Sequence, residues 1–185
     1  MALEQAYAEG DYEGARAHFE NPLRIQEKSL GPDHPEVAIA LGLYGVLLRR
    51  AGDPDGARRS YERALAILEA AVGPDDMDAA RTRSYLGYLE YSLGNYDDAR
   101  RHTLRALEEY RRIFSSGHRA LAGPLYNLAC LSALEGERDQ ALEFLREAVA
   151  CGYAERGLLD DPDFAALRGD TEFEAIVSEV RQRWE

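Results

Sequence analysis

The chain has 185 residues, 45% hydrophobic and 30% charged, which is enough apolar material for a buried core and too much for a disordered segment. Its formal net charge is −12, and its basic residues cluster only in pairs such as Arg49-Arg50 and Arg111-Arg112, which argues against nucleic acid and anionic membrane as partners. The first ten residues carry two acids and no Lys or Arg, unlike a secretory signal, and the longest apolar run, Val37 to Leu48, is too short to span a bilayer.

In chain order, residues 1–9 read as the last half of a helix that Gly10 ends and Asp11 follows with a new start. That second helix is expected to kink or break near Asn21. Pro22 removes one helical hydrogen bond and clashes with the preceding turn, at roughly 3 kcal/mol in a regular helix. Helix pairs are predicted at 35–51 with 53–72, at 77–93 with 95–114, and at 119–135 with 137–150. Within the first pair Gly52 ends one helix in the left-handed conformation, Asp53 caps the next, and Pro54 is tolerated in its first turn. Tyr61, Leu65 and Leu68 then share one face. After Ala150 the pattern changes: Asp161-Pro162 has helix-start chemistry. A last helix at 171–183, capped by Asp170, places Phe173, Ile176, Val177 and Val180 on one side. No strand is predicted anywhere.

These elements repeat. Gly10, Gly52, Gly94 and Gly136 recur at one constant interval, and Ala15, Ala57, Ala99 and Ala141 keep step. Gly45, Gly87 and Ala129 precede the last three glycines at a fixed offset, small residues that let two antiparallel helices approach closely. The linking loops repeat too: Gly31-Pro-Asp-His-Pro-Glu-Val-Ala38 aligns with Gly73-Pro-Asp-Asp-Met-Asp-Ala-Ala80 and, in eroded form, with Ser115-Ser-Gly-His-Arg-Ala-Leu-Ala122.

This small–Gly–Ala pattern resembles the tetratricopeptide repeat. The 42-residue period, with Leu30-Gly-Pro-Asp-His-Pro-Glu-Val-Ala38 and Tyr61-Glu-Arg-Ala-Leu-Ala-Ile-Leu68, is similar to its kinesin-light-chain type. The resemblance implies an all-α fold, a right-handed α-solenoid of antiparallel helix pairs whose first helices line a concave groove for peptides. Residues 1–150 are then the array, a truncated first repeat followed by three more. Residues 151–185 form a helical cap over the open end. The Asn-Asn pair typical of the kinesin-light-chain groove reads Gly42-Leu43, Ser84-Tyr85 and Tyr126-Asn127 here, so kinesin-like cargo recognition is not carried over.

The groove so implied is lined by Ile39, Leu43, Val46, Arg49 and Arg50, then by Arg81, Ser84, Tyr85, Tyr88 and Tyr91, then by Tyr126, Asn127 and Cys130. Tyrosine suits partner anchoring because it offers apolar area plus a hydroxyl at small entropic cost. The expected function is a non-catalytic scaffold or adaptor that takes a protein, peptide or helix, with copies able to associate through the open N-terminal end. The alternative is a C-terminal regulatory or self-association segment of a larger bacterial signalling protein such as a Ser/Thr kinase. Tyr126-Asn-Leu-Ala-Cys130 through Asp170-Thr-Glu-Phe173 resembles the ends of tetratricopeptide regions in such proteins.

No catalytic set, cofactor or metal is expected. The four histidines form two pairs, His18 with His102 and His34 with His118, each two repeat lengths apart and too distant to share an ion. Asp160-Asp161-Pro162-Asp163 lacks the spacing, central Gly and closing Glu of a calcium loop, and reads as helix capping. Cys130 and Cys151, well separated and with no CxxC, read as reduced thiols of a cytoplasmic protein.

Overall fold

The computed structural model describes residues 12–73 and 75–183, and among these every regular element is helical. The chain divides into two compact units, residues 1–89 and 90–185. The expected half helix at 1–9 lies outside the described residues.

In the first unit α1 (Tyr12–Leu30), α2 (Pro35–Arg50) and α3 (Pro54–Ala71) follow one another, and α4 (Met77–Ser92) carries the boundary between the units near its end. Helix α2 packs against both α1 and α3. Val37, Leu41, Tyr44, Leu47 and Leu48 of α2 meet Ala57, Tyr61, Leu65 and Leu68 of α3 in one buried cluster, with Leu86 and Leu89 of α4. Gly45 explains how closely α2 and α3 cross: a Cβ there would lie 2.5 Å from the Tyr61 ring. Only glycine leaves room for that ring.

Of the kink or break expected near Asn21, the break does not occur: α1 runs through Pro22 as one continuous helix. Phe19 and Leu23, on either side of the proline, pack on the unit's core, and Glu20 accepts a 2.6 Å hydrogen bond from the Tyr44 hydroxyl. Tertiary contacts thus hold both flanking turns, and the lost backbone bond is tolerated.

The second unit contains α5 (Tyr96–Ile113), a 3₁₀ turn (Arg119–Leu121), α6 (Ala122–Leu134) and α7 (Arg138–Ala150). Two further 3₁₀ turns follow (Arg156–Leu159 and Pro162–Leu167), then α8 (Thr171–Gln182). The helix expected at 119–135 therefore starts as a 3₁₀ turn, and Asp161-Pro162 opens a six-residue 3₁₀ turn rather than an α-helix. Helix α6 packs on α7 and on the 162–167 turn, while α8 packs on α7. Phe173, Ile176, Val177 and Val180 of α8 are buried there as their spacing predicts, and Asp170 accepts bonds from the Glu172 and Phe173 amides.

The repeat is visible in the hydrogen bonds. Gly52, Gly94 and Gly136 adopt φ of 80°, 78° and 79°, the left-handed region open to glycine. In each copy the following amide reaches back into the last turn of the helix: Asp53 to Leu48 (2.9 Å), Asn95 to Glu90 (2.9 Å) and Glu137 to Ser132 (2.8 Å). Helix starts keep the same period. His34 Nδ1 accepts from the Glu36 amide, Asp76 Oδ1 from those of Asp78 and Ala79, and His118 Nδ1 from that of Ala120. His34 and His118 are therefore helix caps.

Candidate functional site

The sequence-predicted groove residues fall in both units. In the first, α2 and α4 bring together an exposed patch. The Arg49 guanidinium sits 4.7 Å from the centroid of the Tyr88 ring, a cation–π contact. Tyr88 is 39% exposed and Leu43 46%, so an apolar side chain and an aromatic face are both open to a partner. Arg50 is exposed. Ile39, Val46, Arg81 and Ser84 are half-buried, and Arg81 is ion-paired with Asp78 on the same helix turn. Tyr85 is half-buried with its ring 6.0 Å from that of Tyr61, so it spends part of its surface on the core. The patch combines cationic and apolar surface on an otherwise acidic chain.

In the second unit Tyr91 lies half-buried with its ring 6.2 Å from that of Tyr96, and Asn127 is half-buried. Tyr126 and Cys130 face the C-terminal segment. The Tyr126 ring stacks on Tyr153 at 4.0 Å and meets Phe164 edge-on at 5.9 Å, and its hydroxyl donates to Asp161 Oδ2. Cys130 is 1% exposed and sits in the apolar cluster of α6, α7, α8 and the 162–167 turn. Its Sγ and one carboxylate oxygen each of Asp161 and Asp163 lie within 4.8 Å of one another. Asp161 Oδ1 also accepts from the Asp163 amide at 3.0 Å, the capping role expected for this acidic run. Asp163 Oδ2 is shut off from solvent and has no hydrogen-bond partner among the described residues.

Burial dominates the electrostatics of this cluster. It pushes the Cys130 thiol well above its ordinary range, reinforced by the Asp161 charge, and a protonated buried thiol is a poor nucleophile. Burial likewise raises the Tyr126 phenol, reinforced by Cys130 and by the bond to Asp161, and raises the Asp163 carboxyl. Cys130, Asp161 and Asp163 are the set with metal-ligand chemistry among the described residues. Capping logic found Asp161 in the sequence. Its meeting with Cys130, on a helix three elements earlier in the second unit, carries no local signal.

Cys151, the other thiol, is buried and unpaired. Among the described residues no helix is long and apolar enough to cross a membrane.

The sequence matches the family described as "Tetratricopeptide repeat" over residues 4–70 and 78–151. No curated protein matches it. Among solved structures, BtubC (BKLC) from P. vanneervenii superposes with a TM-score of 0.80 at 21% identity, covering 97% of this chain and 76% of that one. A kinesin light chain protein of Podosopora anserina with nearly identical TPR-like repeats gives 0.77 at 18% identity, with 97% and 90% covered. MamA gives 0.63 at 16% identity, with 98% and 91% covered. At these identities the likeness establishes the fold: an all-α helical-repeat solenoid of the kinesin-light-chain type.

Proposed function

Because the chain belongs to the tetratricopeptide repeat family, a scaffold for protein–protein interaction in general, we propose that it is a non-catalytic adaptor. It takes a peptide or helix on the face that α2 and α4 present in the first unit. The observation that carries this reading is the Arg49–Tyr88 pair, a partly exposed aromatic ring held under a guanidinium, with Leu43 of the same helix as Arg49 also exposed. Such residues dominate the energy of protein interfaces, since each buries a large area at low entropic cost while the guanidinium fixes orientation. A partner segment with an apolar side chain for Leu43 and Tyr88, and a carboxylate for Arg49 and Arg50, fits the charge of the patch. A cytoplasmic setting suits the two unpaired thiols.

The test is affinity capture followed by mass spectrometry, with the wild-type chain and an Arg49→Ala/Tyr88→Ala variant as baits. A partner retained by the wild type and lost from the variant, at unchanged helicity, supports the face. Identical captured sets from the two baits would remove it.

A further inference from the structure

We propose that the second unit carries a binding site for a divalent metal ion of zinc-like preference, made by Cys130 Sγ and the carboxylates of Asp161 and Asp163, with the Tyr126 hydroxyl beside it.

Three independent features converge there. The first is chemical type: a thiol with two carboxylates, all three ligand atoms within 4.8 Å of one another, none on an exposed residue. Thiolate with hard oxygen donors suits a borderline ion such as Zn²⁺ better than Ca²⁺ or Mg²⁺, which want oxygen shells alone. The second is the orphaned oxygen. Asp163 Oδ2 is buried without a hydrogen bond, although buried polar atoms are nearly always paired. A cation would satisfy it. The third is the charge around the cluster. Asp161 has its hydrogen bonds from neutral donors, the Tyr126 hydroxyl and the Asp163 amide, so these bonds leave its negative charge in place.

Geometry allows the step. Bonds of about 2.0–2.3 Å in tetrahedral arrangement place ligand atoms roughly 3.6 Å apart, so separations of up to 4.8 Å close by about 1 Å. Two ligands sit on a six-residue 3₁₀ turn and its cap, which moves more easily than a helix. On binding, the Cys130 S–H bond breaks, its proton leaves to solvent, and the sulfur lone pair forms the metal–sulfur bond. Thiolate and two carboxylates then exceed the ion's charge by one, and the Tyr126 hydroxyl and Asp163 amide continue to donate to Asp161. The ion would tie α6 to the start of the 162–167 turn, a coordinated link that closes the chain between Cys130 and Asp161 into a loop.

The experiment titrates the reduced, chelator-treated chain with CoCl₂ and, separately, ZnCl₂. One equivalent of Co²⁺ is expected to produce visible bands of a tetrahedral site and a thiolate-to-cobalt charge-transfer band, with Zn²⁺ displacing both. Cys130→Ala should abolish the charge-transfer band, whereas Cys151→Ala should keep it. Asp163→Asn, nearly isosteric, should weaken Zn²⁺ binding at least tenfold and cancel the rise in Tm that Zn²⁺ gives the wild type. No band and no retained metal in a fully helical chain would overturn the site, as would a band that survives Cys130→Ala. An affinity for Zn²⁺ unchanged by Asp163→Asn would overturn it too.

Discussion

Val46, Tyr88 and Cys130 occupy the same place in three successive repeats, one period apart, yet they meet different surroundings. In the first unit Tyr88 stays 39% exposed, with a guanidinium over its ring. In the second, Cys130 is 1% exposed, because Phe164 and the 162–167 turn pack on α6, which carries it. The neighbouring position differs in the same sense: Ser84 is half-buried, while its counterpart Tyr126 stacks on Tyr153 and donates to Asp161. A repeat position therefore sets where a side chain starts, and what packs over it decides whether it stays open to solvent or joins a core.

The covered region should be the more fragile. Phe164→Ala removes a ring that is fully buried between Tyr126 and Phe173, and is expected to cost about 3–5 kcal/mol in chemical denaturation. Tyr88→Ala on the open face, which loses the contact with Arg49, should cost clearly less, about 1 kcal/mol. Similar losses from the two would erase the distinction between an open and a covered copy.

A second probe concerns the helix crossings. Gly45 meets Tyr61 in the first copy, and the corresponding positions of the third copy hold Ala129 and Leu145. Gly45→Ala is expected to lower stability by about 1–3 kcal/mol through overpacking, despite the better helix propensity of alanine. Adding Tyr61→Leu, which recreates the third copy's pair, should recover part of that loss. Thermal melts of the single and double variants decide it, and strict additivity would count against the packing argument.

Tyr126→Phe removes the hydroxyl that donates to Asp161 and keeps the stacked ring. It is expected to cost about 1–3 kcal/mol, read from denaturant midpoints.

The smallest effect is a pH dependence in the first unit. Arg16 and then the Tyr44 hydroxyl bond to Glu20 and hold its carboxyl below its ordinary 4.5. A depressed carboxylate stabilises the fold above its unfolded pKa, and that contribution is lost as pH falls through the folded value. Tyr44→Phe removes one of the two donors and should flatten the acid limb of stability between neutral pH and pH ~3. Because the Glu20 and Arg16 side chains are 52% and 42% exposed, raising salt should flatten it as well.

Much of this was legible in the residues. The helix pairs fall close to the expected spans, Asp53 and Asp170 cap as their positions require, and the glycines that close each repeat take the left-handed turn. These are local events, in which a cap, a stop and an apolar stripe each act within one or two turns of helix. The exposed patch was partly legible, since the Arg49–Tyr88 pair follows from residues on neighbouring first helices once the family's packing is assumed. The tolerance of Pro22 was not, because Phe19, Leu23 and the Glu20–Tyr44 bond act from outside its own helix.

Residue order alone thus determined that this chain folds as helical hairpins on one constant period, because capping and amphipathic spacing are short-range. Only tertiary structure decided that Cys130 is buried where it meets Asp161 and Asp163 while Tyr88 stays partly exposed. Which face becomes covered depends on how a segment distant in the chain packs back, and burial is a property of that contact rather than of either stretch by itself.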